Sequence, residues 1–168
     1  MRFAGYDLTD PNAITNNTVT RKVGAQFFIP SEDQWYKAAY FDPSKAGGDG
    51  YWPFPTQSDA IPTIATADGQ GNIDNDNLNI ANYNRGADWN GKNGNVTTVG
   101  SGGPGSGSFY RAFDMGGNVW EWNEALASSR GLRGGSWDVS SVGLQSSFFL
   151  SFNPTFEDFN VGFRVASP

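Results

Sequence analysis

The sequence predicts an α+β, loop-rich fold with few helices and short antiparallel strands. Three observations lead there. Aromatic residues make up 15% of the 168 residues while mean hydropathy is only −0.48, so rings rather than aliphatic chains must fill the core. Glycine (22) and proline (9) are frequent enough to break most regular elements. Helical and strand periodicity occur only before and after a long irregular stretch, 42–108. A chain of this length suits one domain, 1–168, that buries roughly 70% of its unfolded surface.

Residues 1–26 are polar, with turn signals at Asp10-Pro11-Asn12 and Asn16-Asn17. Phe27, Phe28 and Ile29 then read as a short apolar strand, stopped by Pro30. Ser31 followed by Gln34 is a capping box, and Glu32 and Asp33 complement the helix dipole. Trp35, Ala38 and Ala39 fall on one helical face, and Pro43 closes the segment. Tyr51–Thr56 reads as an extended, buried crossing segment. Asp68–Asn79 is dense in Asp, Asn and Gly, and Ser101–Ser108 reads as a flexible loop. Strand patterns return in Val119–Trp122, in the glycine-kinked Gly131–Trp137 and in Val161–Ala166, and antiparallel pairing of all three is the economical expectation.

Composition excludes several functions. With Cys 0 and His 0, these residues supply no disulfide, thiolate nucleophile, imidazole base, or thiolate or imidazole metal site. The charge of −6 argues against nucleic-acid binding, which needs a basic face. No apolar run reaches the roughly 20 residues that span a membrane, so membrane insertion is not expected. The opening residues lack the apolar run of a signal peptide. Thirteen of the seventeen acids are Asp, a balance compatible with calcium.

Four segments together resemble one family. IPSEDQWYKAAY, DMGGNVWEW, RGGSW and GFRVA occur in the order and spacing of the formylglycine-generating enzyme / sulfatase-modifying factor family. The resemblance runs from about Phe27 to Ala166. It implies a C-type lectin-like fold, loop-rich and often calcium-stabilised, with the family's N-terminal elements shortened or missing. Formylglycine-generating enzymes hold copper with paired cysteines, and the related sulfoxide synthases hold iron with histidines. Neither residue type is present, so no copper, iron or zinc chemistry of that kind is expected. The non-catalytic relatives then come forward, above all the ligand-binding variable proteins of diversity-generating retroelements, and bacterial surface or extracellular proteins. The expected function is a non-catalytic binding module with a protein or glycan ligand. A self-associating surface protein and a degenerate relative of the oxidase are the alternatives.

The resemblance also nominates residues. One calcium site would use Asp114, the carbonyls of Gly117 and Val119, and Glu121. A second would use Asn82 and the Tyr83 carbonyl, with Asp88 as a candidate partner. The competing reading pairs Glu121 with Arg133 or Arg164 and has Asp114 cap a turn. In the acidic stretch, Asn72, Asp74 and Asp76 are better explained by Asx turns than by calcium, because the EF-hand Gly and terminal Glu are missing. Recognition would fall on 138–160, which is uncharged from Val139 to Phe156. Its candidate contacts are Asp138, Val139, Ser141, Val142, Gly143, Phe148, Phe149, Leu150, Phe152, Phe156 and Phe159. Phe148-Phe149-Leu150 breaks strand alternation, so at least one of the three should face outward. Trp35, Trp120, Trp122 and Trp137 are read as core first and as a sugar-stacking platform second.

Overall fold

The computed structural model describes residues 21–75, 78–124 and 129–168. The turns expected at 10–12 and 16–17, and Asp76, lie outside them.

The capping box forms as the sequence requires. Ser31 Oγ accepts from the Gln34 N–H at 3.2 Å, and Gln34 Oε1 accepts from the Ser31 N–H at 3.0 Å. Helix α1 (Glu32–Tyr40) follows, burying Trp35, Ala39 and Tyr40 against Met115. The Tyr40 hydroxyl donates to the Leu144 carbonyl, tying the helix to a second core cluster of Phe54, Ala81, Tyr83 and Leu144. Burial raises the Tyr40 phenol far above its ordinary range, so it stays protonated and a donor.

Strands β1 (Thr63–Ile64) and β2 (Ile80–Ala81) form a small parallel pair. The main sheet contains β3 (Trp120–Asn123), β4 (Arg130–Arg133), β5 (Leu150–Phe152) and β6 (Val161–Phe163), in the order β5-β4-β3-β6. β3–β4 is antiparallel as expected; β5, a strand the sequence reading did not include, also pairs antiparallel with β4, but β6 runs parallel to β3, with Trp120 opposite Val161. The expectation of antiparallel pairing throughout is corrected there. β5 and β6 point the same way at opposite sheet edges, so residues 153–160 must carry the chain across the sheet. Asn153 starts that crossing with an Asx turn, its Oδ1 accepting from the Thr155 N–H and hydroxyl.

Three further expectations change. Phe27–Ile29 is not a strand but a single bridge, Phe28 to Ala166; Phe28 is buried and Phe27 is 65% exposed. In Tyr51–Thr56 only Phe54, Pro55 and Thr56 are buried. Ser101–Ser108 holds a 3-10 turn at Gly103–Ser106, with Gly102, Ser106, Gly107 and Ser108 buried, so it is packed rather than loose. The acidic stretch is an Asx turn as expected: Asp68 Oδ1 accepts from the backbone of Gln70 and Asn72, bonds that hold its carboxyl below the usual range, with the Asn72 side chain contributing most.

Candidate ligand-recognition site

Residues 138–160 begin five residues after β4, include β5 and end immediately before β6. Asp138 is fixed at the entry by the Ser136 hydroxyl (2.6 Å) and the exit residue Asn160 (2.9 Å). Partial burial pushes the carboxyl up, but hydrogen bonds from Ser136, Asn160 and its own backbone N–H, with the Arg85 charge, together leave it below its ordinary value. A depressed carboxyl stabilises above its unfolded pKa and loses that contribution as pH falls through its folded pKa. Asp138→Asn should therefore lower Tm at pH 7, and the gap to the wild type should narrow as pH falls below the ordinary Asp pKa of about 4; thermal melts across pH check this.

A 3-10 turn at Ser141–Leu144 follows. Its Gly143 is buried beneath Val139 and Trp120, so that position serves packing rather than ligand contact. Val139 packs on the second core cluster, and its carbonyl accepts from the Asn84 N–H. Phe148 is half-buried against Trp120, with ring centroids 5.9 Å apart. Phe152 and Phe156 stack on one another at 4.4 Å and are half-buried. Leu150 and Ser141 are also intermediate. Exposed among the candidates are Val142 (49%), Phe149 (60%) and Phe159 (72%). The outward residue of the Phe148-Phe149-Leu150 run is thus Phe149.

Phe149 is held from below. Arg133 reaches the Phe149 ring at 5.3 Å and the Tyr36 ring at 5.1 Å, and donates to the carbonyls of Ser146 and Phe148. Its charge is met by Glu32, at 2.5 Å. Arg133 therefore braces the recognition segment against α1 rather than pairing with Glu121.

Glu121 pairs with Arg164. The guanidinium takes both carboxylate oxygens at 2.5 Å, and Trp35 Nε1 adds a third bond at 2.7 Å. Asp114, at φ +56, accepts from the Gly100 N–H, and burial raises its carboxyl above the ordinary range. Both Glu121 oxygens are thus engaged by Arg164, the ion-pair role that competed with the calcium reading of Asp114, Gly117, Val119 and Glu121. Among the described residues no three acidic side chains converge on a point that could hold a metal.

The second nominated site differs. Asn82 bridges to Gly117, so the structure joins two segments that the sequence had kept apart. Asn82 Nδ2 faces three acceptors: the Asn95 carbonyl, Thr97 Oγ1 and Asn118 Oδ1. That fixes the amide orientation and leaves Asn82 Oδ1 buried without a hydrogen-bond partner. A hard cation or a water would satisfy it. The Tyr83 carbonyl instead accepts from the Gly86 N–H, and Asp88 is exposed.

An open groove of about 590 Å³ lies beside this network, lined by residues 92–96, Trp137 and Phe159. The Trp137 and Phe159 rings sit 5.8 Å apart, tilted by 47°. The opposite wall was not anticipated. Asn90 to Asn95, NGKNGN, reads from sequence only as consecutive turns. Trp89 holds that wall: its Nε1 donates to the Val96 carbonyl, and its ring lies so close over Gly71 that a Cβ there would fall 2.6 Å from it. Asn84 and Arg85, both in the left-handed region, bond the backbone of Val139 and Trp137 and so fix the groove floor.

Comparison with known proteins places the fold. The family model for the sulfatase-modifying factor enzyme 1-like domain matches residues 13–168. No curated protein matches the chain. Variable protein 1 of Treponema denticola superposes with a TM-score of 0.55 at 20% identity, over 92% of this chain and 54% of that one. The structure of CarF gives a TM-score of 0.56 at 19% identity, over 91% and 52%. The chain thus spans about half the length of these solved chains. Motif order, family match and loop-rich architecture agree: the chain belongs to the formylglycine-generating enzyme / sulfatase-modifying factor family and has its C-type lectin-like fold.

Proposed function

We propose that this chain is a non-catalytic recognition module whose ligand surface is built by residues 138–160. One observation carries the reading: within 138–160, Phe149 and Phe159 are left 60% and 72% exposed in a protein whose core is otherwise filled by rings. Exposed rings rimmed by polar residues mark interaction surfaces, where aromatic anchors dominate binding. The likeness to a variable protein supports the reading, and so does the lack of thiol and imidazole groups in the sequence. Extracellular or cell-surface placement belongs to the same proposal.

Panning a displayed random peptide library against the intact chain tests it. Enriched peptides should bind Phe149→Ser and Phe159→Ser at least about tenfold more weakly, a loss near 1.4 kcal/mol. The two substitutions should leave stability within about 0.5 kcal/mol, as surface changes do. Undiminished peptide binding by both variants, or collapse of both folds, would refute the recognition surface.

Calcium stabilisation is proposed on narrower ground, the orphaned Asn82 Oδ1. Adding calcium at 100 times its Kd should stabilise the wild type by about 2.7 kcal/mol. The gain should be lost in Asn82→Ala and in chelator. An identical Tm with calcium and with chelator contradicts it.

A further inference from the structure

We propose that the groove between residues 92–96 and the Trp137–Phe159 pair is a saccharide site that selects a carboxylate-bearing sugar. This rests on the recognition reading above, to which it adds a ligand class and a second wall.

The chemistry of the lining points there. Two tilted rings 5.8 Å apart form one wall, and an aromatic face carries negative charge density that attracts the polarised C–H bonds on the apolar face of a pyranose. The facing wall carries Asn93 and Asn95. A primary amide donates and accepts at once, which matches the paired hydroxyls of a sugar ring. Asn93 makes no hydrogen bond among the described residues, and the Asn95 side chain uses only its Oδ1, to the Val96 N–H, leaving its NH₂ group for a ligand. Lys92 is the one charged residue lining the groove, and no carboxylate among the described residues neutralises it. On a chain of net charge −6, a local cation facing an open groove favours an anionic group there.

The walls are also built to hold their shape. Trp89 is clamped over Gly71, and the left-handed Asn84 and Arg85 donate their backbone N–H groups to the Val139 and Trp137 carbonyls respectively. Strain retained beside a groove fits a preorganised site. A peptide ligand is less well matched, because the lining offers side-chain amides and shallow ring faces rather than an exposed strand edge or a deep apolar pocket.

The test is an immobilised oligosaccharide array probed with the whole chain. It carries neutral hexose and N-acetylhexosamine glycans beside uronate- and sialate-terminated ones, and hits are titrated in solution. Binding should concentrate on the acidic glycans. Lys92→Glu should weaken it by more than about tenfold, and Asn93→Ala and Phe159→Ser each by about three- to tenfold. All three side chains are exposed, so melting curves should match the wild type. No glycan binding, binding to neutral glycans alone, or acidic-glycan binding that survives Lys92→Glu overturns the proposal. If the array stays blank while panned peptides depend on Phe149 and Phe159, the saccharide class fails and the recognition surface stands. If those peptides are also indifferent to both residues, both readings fail.

Discussion

Arg164→Met should destabilise the protein by about 3 kcal/mol or more, the effect expected when one partner of a buried ion pair is removed. Glu121 is almost fully covered, with its side chain 7% exposed, and the substitution would leave that carboxylate with only the Trp35 N–H to meet it. Arg164 also donates to the Phe113 carbonyl, which would lose a partner. Urea denaturation measures the loss. The double variant Glu121→Gln/Arg164→Met should recover part of it, because an uncharged amide needs no counterion. A loss below about 1 kcal/mol in the single variant would mean that the pair is not the clamp between β3 and the C-terminal strand. Adding calcium to Arg164→Met gives a second reading. A larger stabilisation there than in the wild type would show that Glu121 binds the ion once the guanidinium is gone.

Gly117→Ala should be nearly as damaging, at about 2–5 kcal/mol. The residue sits at φ +81, and an added Cβ would lie 2.1 Å from the Asn82 carbonyl oxygen. That oxygen cannot move aside freely, because it accepts the Asn118 N–H at 2.8 Å. The clash would separate the two strands of chain that place Asn82, Thr97 and Asn118 in one network. Beyond lost stability, the variant should lose any calcium-dependent rise in Tm. A Gly117→Ala protein with wild-type urea midpoint and calcium response would contradict the geometry.

Local rules made some of this legible in advance. Ser31 and Gln34 announced α1 because capping is decided within four residues. Three of the four main-sheet strands were visible from their patterns, whereas β5 was hidden in the uncharged 138–160 segment; alternation also carries no direction, so the parallel β3–β6 pairing could not be read. Glu121 was marked as either a metal ligand or an ion-pair partner, and the choice of Arg164 over Arg133 turned on Glu32 claiming Arg133 through long-range packing. The 138–160 segment stood out by its missing charge, and the Phe148-Phe149-Leu150 run by broken alternation, without saying which of the three faces out. Which rings were core was hidden: Phe148 finds Trp120, whereas Phe152 and Phe156 find each other. The 92–96 wall gave no signal, since its place is set by Trp89 reaching Gly71, a contact between two stretches without periodicity. Asn118 was passed over because a buried amide network is defined by partners distant in sequence.

The proposed function has this chain recognise rather than oxidise, since its residues offer no thiolate or imidazole ligand for a redox metal. Oxygen uptake by the purified chain tests that most directly, measured with copper or iron, a reductant and a cysteine-containing peptide. The account predicts uptake equal to the protein-free blank at every metal concentration. Uptake above the blank that scales with protein concentration and is abolished by heat denaturation would contradict it.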